Sequence, residues 1–238
     1  MALKKELLQQ SAGQQAALHV ARRTSPVRLT EAAREFLRYG SPRILIGVVI
    51  CLWTVRVMVG GASLKDGLVV ALILALWPFQ EWFIHNLVLH AAMREGSTSG
   101  RSTSRLARVH REHHRQPWRL DLVFIPASVY LYSPLTQGLL WFALFPRPLA
   151  VTALSVSFAL SLFYEWIHFL MHTRYVPRSG FCRGLWRNHR LHHFRNENFW
   201  YGVSALSGDR LFGTAPDHRQ TERSTLCKSL GSSAARLD

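Results

Sequence analysis

Four apolar stretches between Ile44 and His172 constrain this chain more than any other feature. A bilayer core of ~30 Å needs about 20 helical residues, and each stretch reaches or nearly reaches that length. The first, Ile44–Ala62, contains Arg56, which is expected to snorkel towards the nearer interface. The second, Leu68–His90, is interrupted by Pro78 and carries Glu81 and His85 in its last third. The third and weakest, Leu122–Phe145, contains Pro126 and Pro134, and the fourth, Leu149–His172, ends in Glu165, His168 and His172. The links Ser63–Gly67 and Pro146–Pro148 are so short that the stretches pair into two helical hairpins.

The charges give this arrangement sides. With an even number of crossings, residues 1–43, 91–121 and 173–238 face the same way. They hold 26 of the 29 lysines and arginines, while Arg56 lies inside a span and only Lys65 and Arg147 fall in the opposite turns. The positive-inside rule makes the crowded side cytoplasmic. It accounts for a net charge of +15 without nucleic acid, for which no module or single basic soluble face is visible. An anionic membrane surface is the polyanion that remains. With 48% hydrophobic and 18% charged residues the chain is too apolar for disorder. Its three cysteines, with no CxxC pair, exclude a disulfide scaffold and a cysteine-based zinc finger.

No secretory signal precedes the first span, because Lys4 and Lys5 lead into Glu6 and a glutamine-rich run. Residues 30–39 suit a short helix burying Ala33, Phe36 and Leu37 at a membrane surface, or else a solvated polar helix. Glu95–Ser104 has the composition of a flexible link, and the chain beyond Asp217 that of a frayed tail. The expectation is an all-α integral membrane protein with a basic cytoplasmic or interfacial segment 1–43 and a polar tail 217–238. Between them, 44–216 forms about four transmembrane helices in two hairpins, capped by a cytoplasmic helical histidine-rich di-metal domain. A soluble all-helical protein with long core helices is the alternative.

Ten of the 12 histidines fall in four groups: His85/His90, His110/His113/His114, His168/His172 and His189/His192/His193. Each lies at the cytoplasmic end of a span or in a cytoplasmic segment. Residues i, i+3 and i+4 share a helix face, so each HxxHH is expected to offer three imidazoles to a common centre. His168 and His172 share a face as well. His85 and His90, about 140° apart on an ideal helix, lie at an unwinding helix end or serve different metals. Ten imidazoles exceed what one structural zinc takes, whereas two six-coordinate ions would leave two positions for oxygen species or water. Imidazole suits iron, zinc, copper and nickel alike. Glu81 and Glu165 precede histidines at helical spacing, where each would accept the second N–H of a ligating imidazole or form a helix-end salt bridge. A membrane metal transporter or sensor is the non-enzyme alternative, though transporters place ionisable ligands along the bilayer midplane.

The order HxxxxH, HxxHH, HxxxH, HxxHH resembles the fatty acid hydroxylase/sterol desaturase superfamily of histidine-rich membrane oxygenases, from about Leu68 to Pro216. Three stretches sharpen the resemblance: Gln80-Glu81-Trp82-Phe83-Ile84-His85, Tyr164-Glu165-Trp166-Ile167-His168 and Asn188-His189-Arg190-Leu191-His192-His193. Tyr201-Gly202-Val203-Ser204 followed by Gly208-Asp209-Arg210-Leu211-Phe212-Gly213-Thr214 is similar to the family's closing motif. His113-His114-Arg115-Gln116-Pro117, running to Leu122-Val123-Phe124, is most similar to fatty acid 2-hydroxylases. The residues after Pro117 depart from that pattern, with Arg119 ahead of Asp121 where an acid and then a base are expected, so the lipid headgroup stays open.

The resemblance implies O2-dependent oxidation of a lipid C–H bond by two irons, with zinc as a substitute acquired on purification. The ten motif histidines would be the ligands, and Glu81, Glu165 and Asp209 would support them from behind. No fused cytochrome b5 domain is apparent, so an external carrier, a ferredoxin or a cytochrome b5-like protein with its reductase, would supply the electrons. Arg183, Arg187, Arg190 and Arg195 offer such a carrier a basic dock, or anchor the domain to anionic headgroups. The substrate would be a membrane lipid, first a fatty acyl chain; a sterol-like, hopanoid or carotenoid molecule, or a desaturation, is the alternative. The membrane would be the cytoplasmic membrane of a bacterium or the endoplasmic reticulum of a eukaryote, with the active side cytoplasmic.

Overall fold

The structure, a computed structural model, describes residues 27–91, 104–224 and 227. The flexible link expected over Glu95–Ser104 lies, but for Ser104, outside these residues, as does most of the expected tail. All regular elements among the described residues are helical. They are α1 (Leu29–Phe36), α2 (Gly40–Val59), α3 (Leu64–Phe83) with a π-helical turn at Ile84–Leu89, and α4 (Arg105–Arg115). A 3-10 turn (Leu120–Leu122) comes next, then α5 (Ala127–Leu144), α6 (Arg147–Met171), α7 (Gly180–Phe194) and the short α8 (Ser207–Leu211).

Three helical segments are long and apolar enough to cross a membrane: α2, α3 with its π-turn, and α6. Their packing explains the sequence pattern. Helix α6 is the central one, buried continuously from Ala150 to Phe158, and it contacts α2, α3 and α5. Leu45, Tyr130, Leu154 and Phe158 form one layer of this contact, and Val69, Ile73, Ala153 and Val156 another. On α2 and α3 the outward positions are also apolar, including Ile50, Val57, Met58, Leu68 and Leu72. Helices apolar on every side are buried in protein on one face and in lipid on the other. The chain is an integral membrane protein.

Several boundaries differ from the expected ones. The first hairpin turns earlier, because Gly60 and Gly61 both adopt left-handed backbone and Ser63 with Asp66 forms a capping box that starts α3. Hydropathy does not register either signal. The third stretch does not run from Leu122. Pro126 stands at the N-cap of α5, where its missing N–H is tolerated, and the helix spans only 18 residues. Ser133, Pro134, Thr136 and Gln137 in its middle make it less apolar than the three spans.

Arg56 does not snorkel. It is buried, donating from Nε to Thr152 Oγ1 at 2.6 Å, from one terminal nitrogen to the Gly60 carbonyl at 3.0 Å and from the other to Asp66 at 2.6 Å. These bonds tie α2, the turn, α3 and α6 together at the end remote from the histidines. Helix α1 also turns a different face inward from the one expected. Ala32 and Phe36 are buried while Leu37 is exposed, and the Phe36 ring packs on Phe124, Trp166 and Phe169 at centroid distances of 5.1–5.6 Å. The buried stripe is therefore satisfied by protein. Beyond Asp217 the chain is not frayed at first. Arg195 donates to the Thr221 carbonyl, Asn196 to that of Glu222, and the Ser224 N–H to the Arg195 carbonyl, which straps 217–224 to the end of α7.

Candidate metal centre

The ten motif histidines converge at one end of the bundle, in two groups of five whose donor atoms lie within 4.8 Å of one another. The first group comprises His85, His90, His110, His114 and His192, and the second His113, His168, His172, His189 and His193. His19 lies outside the described residues, and His218 sits apart beside Arg187.

Helix geometry explains the membership. In the π-turn the His90 N–H bonds to the His85 carbonyl at 3.2 Å, five residues back, so the two rings face the same way despite a spacing that an α-helix would splay. Each HxxHH, expected to serve one centre, is divided between both. Positions i and i+4 diverge by about 40° around a helix, whereas i+3 lies about 100° from i+4. On α4, His110 and His114 therefore join the first group and His113 the second. On α7 the roles exchange: His189 and His193 join the second group and His192 the first. Each group thus takes a pair from a hairpin end, an i/i+4 pair from the next helix in the chain, and one ring from the other HxxHH helix.

The donor chemistry suits metal. Burial first, and repulsion by neighbouring imidazoles second, hold His110, His113, His114, His189, His192 and His193 well below the usual imidazole range, so each stays neutral with a lone pair available. Ring nitrogens approach one another without intervening acceptors: His85 and His110 Nε2 at 3.2 Å, His90 and His192 Nε2 at 3.1 Å, and His172 and His189 Nε2 at 2.8 Å. Both ring nitrogens of His113 and of His193 are buried with no hydrogen-bond partner. Buried unpaired polar atoms cost about 1–3 kcal/mol each, and a cation accepting their lone pairs removes that cost. The residues present fit two metal ions.

Backbone carbonyls orient three of these rings. His85 Nδ1 donates to the Tyr201 carbonyl at 2.5 Å, His192 Nδ1 to that of Phe199 at 2.6 Å and His172 Nδ1 to that of Pro117 at 2.8 Å. A carbonyl only accepts, so Nδ1 carries the proton and Nε2 presents its lone pair to the group.

The carboxylates act differently from expectation. Among the described residues, neither Glu81 nor Glu165 is bonded to an imidazole or an arginine. Glu81 accepts from the Ser204 N–H at 2.9 Å, and also from the Val203 N–H and the Ser204 hydroxyl. Glu165 accepts from the Ile125 N–H at 3.0 Å and the Tyr130 hydroxyl at 2.7 Å. Asp209 accepts four bonds, from the N–H groups of Tyr201 and Gly202, the Thr214 hydroxyl and the Asn188 amide, at 2.7–3.1 Å. Burial pushes the Asp209 carboxyl up from its ordinary range, and these four donors oppose the shift. Each acid faces inward to satisfy loop or helix-end donors that would otherwise be buried and unpaired. The carbonyls of Phe199, Tyr201 and Pro117 have no sequence signal, because any residue type carries one. The local traces are the Tyr201–Ser204 motif for the first two and the His113–Pro117 stretch for the third.

Residues 70–214, more than half of the chain, match the fatty acid hydroxylase family. Two dihydroceramide fatty acyl 2-hydroxylases of Arabidopsis thaliana are similar to it. FAH2 is 27% identical over 178 residues and FAH1 27% over 185, each alignment covering 74% of this chain and 72% of the relative. Among solved structures, full-length scs7p, with only its hydroxylase domain visible, superposes with a TM-score of 0.62 at 21% identity, covering 77% of this chain and 68% of that one. That likeness shows a shared fold. With the histidine pattern, the apolar spans and the family match in agreement, the chain belongs to the fatty acid hydroxylase family.

Proposed function

We propose that this chain is a membrane-bound di-iron oxygenase that hydroxylates a C–H bond of an acyl lipid, using O2 and electrons from a separate carrier. The observation that carries the reading is the pair of five-imidazole groups at one end of apolar helices. Two irons bound there supply the oxidising chemistry for an unactivated carbon, which no side chain can perform. The protein's part is to hold ten imidazoles in place, to exclude water by burying them, and to let a substrate chain approach from the lipid that α2 and α3 face. The ten motif histidines are the proposed ligands, with Glu81, Glu165 and Asp209 behind them. The names of the Arabidopsis relatives, both fatty acyl 2-hydroxylases, favour a fatty acyl chain as substrate.

In this reading 44–216 is the catalytic unit, with α1 packed on it from the basic segment 1–43. Helix α5 completes four spans, since 18 residues reach about 27 Å. The histidine end faces the cytoplasm, where basic residues crowd. Arg183, Arg187 and Arg190 are exposed on the face of α7 opposite its histidines and form the proposed dock for an acidic electron carrier. Arg195 is withdrawn from that surface by its bonds to the Thr221 carbonyl.

The test supplies membranes containing the protein with a reduced carrier and ¹⁸O2, and follows lipids by mass spectrometry. Labelled hydroxyl on an acyl chain supports the proposal, label on a terpenoid lipid moves the substrate class, and full turnover without O2 or reductant rejects it.

A further inference from the structure

The two histidine groups are built alike, but their support is not. Residues 199–204 form a loop with no regular structure that crosses beneath the first group. At its head, Trp200 has left-handed backbone with φ of 58°, unusual for a residue with a side chain. This reversal turns the carbonyls on either side of it, those of Phe199 and Tyr201, towards His192 and His85. Both rings belong to the first group. In the second group, the carbonyl serving His172 is that of Pro117, outside this loop.

Asp209 holds the Trp200 end of the loop in that shape, while Glu81 takes the N–H groups of Val203 and Ser204 at its other end. Its Oδ1 accepts from the Tyr201 N–H and the Thr214 hydroxyl, and its Oδ2 from the Gly202 N–H and the Asn188 amide. The Trp200 N–H is satisfied by the Thr214 carbonyl, so the segment Asp209 anchors also receives the left-handed residue. Approach is close enough that only glycine fits at 202: a Cβ there would stand 2.1 Å from the Ala205 carbonyl oxygen and 2.9 Å from Asp209 Oδ2. The carboxylate is completely buried, and all four of its strong acceptor directions are used.

We infer that Asp209 is a positioning residue for the first histidine group alone, acting through the left-handed loop that hands carbonyls to His85 and His192. The inference rests on the proposed reading that each group holds a metal ion. Without Asp209 the loop relaxes, the two Nδ1–H bonds lengthen, and the rings lose the orientation that aims Nε2 into the group. The second group keeps its own supports.

The experiment measures release of bound zinc to a chelator in two backgrounds of the detergent-solubilised protein. His168→Ala with His172→Ala disables the second group and reports on the first; His90→Ala with His114→Ala does the reverse. Asp209→Asn keeps the size of the side chain but sets an amide against two donors. It is expected to weaken zinc binding about 10–100-fold in the background that reports on the first group, the range seen when support behind a ligand is lost. In the other background the change should stay well below that range. Thr214→Val, which removes one of the four donors, should shift release in the same direction by less, and serves if Asp209→Asn does not fold. Equal weakening in both backgrounds, or none in the first, overturns the inference. Parent protein that binds no zinc in either group refutes the metal-centre reading itself.

Discussion

The imidazoles of His114 and His193 stack with centroids 4.2 Å apart, yet each belongs to a different group of five. The two groups therefore share a wall of rings, and the HxxHH helices α4 and α7 each contribute to both. This crossing has a consequence for mutation. His113→Ala should deplete metal from the same group as His168→Ala, although His113 neighbours two ligands of the other. Combining those two changes should remove no more than one ion per chain, whereas combining His113→Ala with His90→Ala should deplete both groups. Metal content per chain checks this, and a loss of more than one ion from His113→Ala combined with His168→Ala would show that the two serve different groups.

The buried Arg56 predicts a second outcome. Replacing it with methionine leaves the Asp66 carboxylate without an opposing charge among apolar helices, held only by Thr152 and Ser63, and the thermal midpoint in detergent should fall by more than about 5 °C. Adding Asp66→Asn should recover part of the loss. An unchanged midpoint for the single variant would place the arginine in solvent or headgroups instead.

Glycine 208 is where α8 meets α3. A Cβ there would lie 2.6 Å from the Pro78 carbonyl oxygen and 3.0 Å from Trp82 Cβ. Gly208→Ala should cost about 1–3 kcal/mol through overpacking, measured as a lowered unfolding midpoint. Gly213→Ala, where no atom crowds the new Cβ but φ is 68°, tests left-handed backbone strain separately and should cost less than Gly208→Ala.

Topology is decided at α5. Reporters fused at Ser97 and Leu237 should both give cytoplasmic signals, and one inserted at Pro146 should report the opposite side. A cytoplasmic signal at Pro146 would mean that α5 lies along the membrane rather than through it.

How far the sequence alone could be read depends on range. Apolar length marked α2, α3 and α6 because lipid and core both demand it. The histidine spacings marked ten residues that the structure then gathers. Caps and turns such as Gly60–Gly61 and Ser63–Asp66 shifted the boundaries because hydropathy averages over them. The division of each HxxHH was invisible because a helical face is judged against one partner, and here there are two. Glu81 and Asp209 looked like direct supports of imidazoles, but the carbonyl that supports His85 comes from Tyr201, 116 residues away. Such contacts arise from the closed fold and leave no local pattern.

X-ray absorption at the iron edge of the reconstituted protein tests the central claim most directly. Two irons per chain are expected, each ligated by about five imidazole nitrogens, the remaining position being oxygen or water. A single iron per chain, or a shell containing thiolate sulfur or mainly carboxylate oxygen, would contradict it.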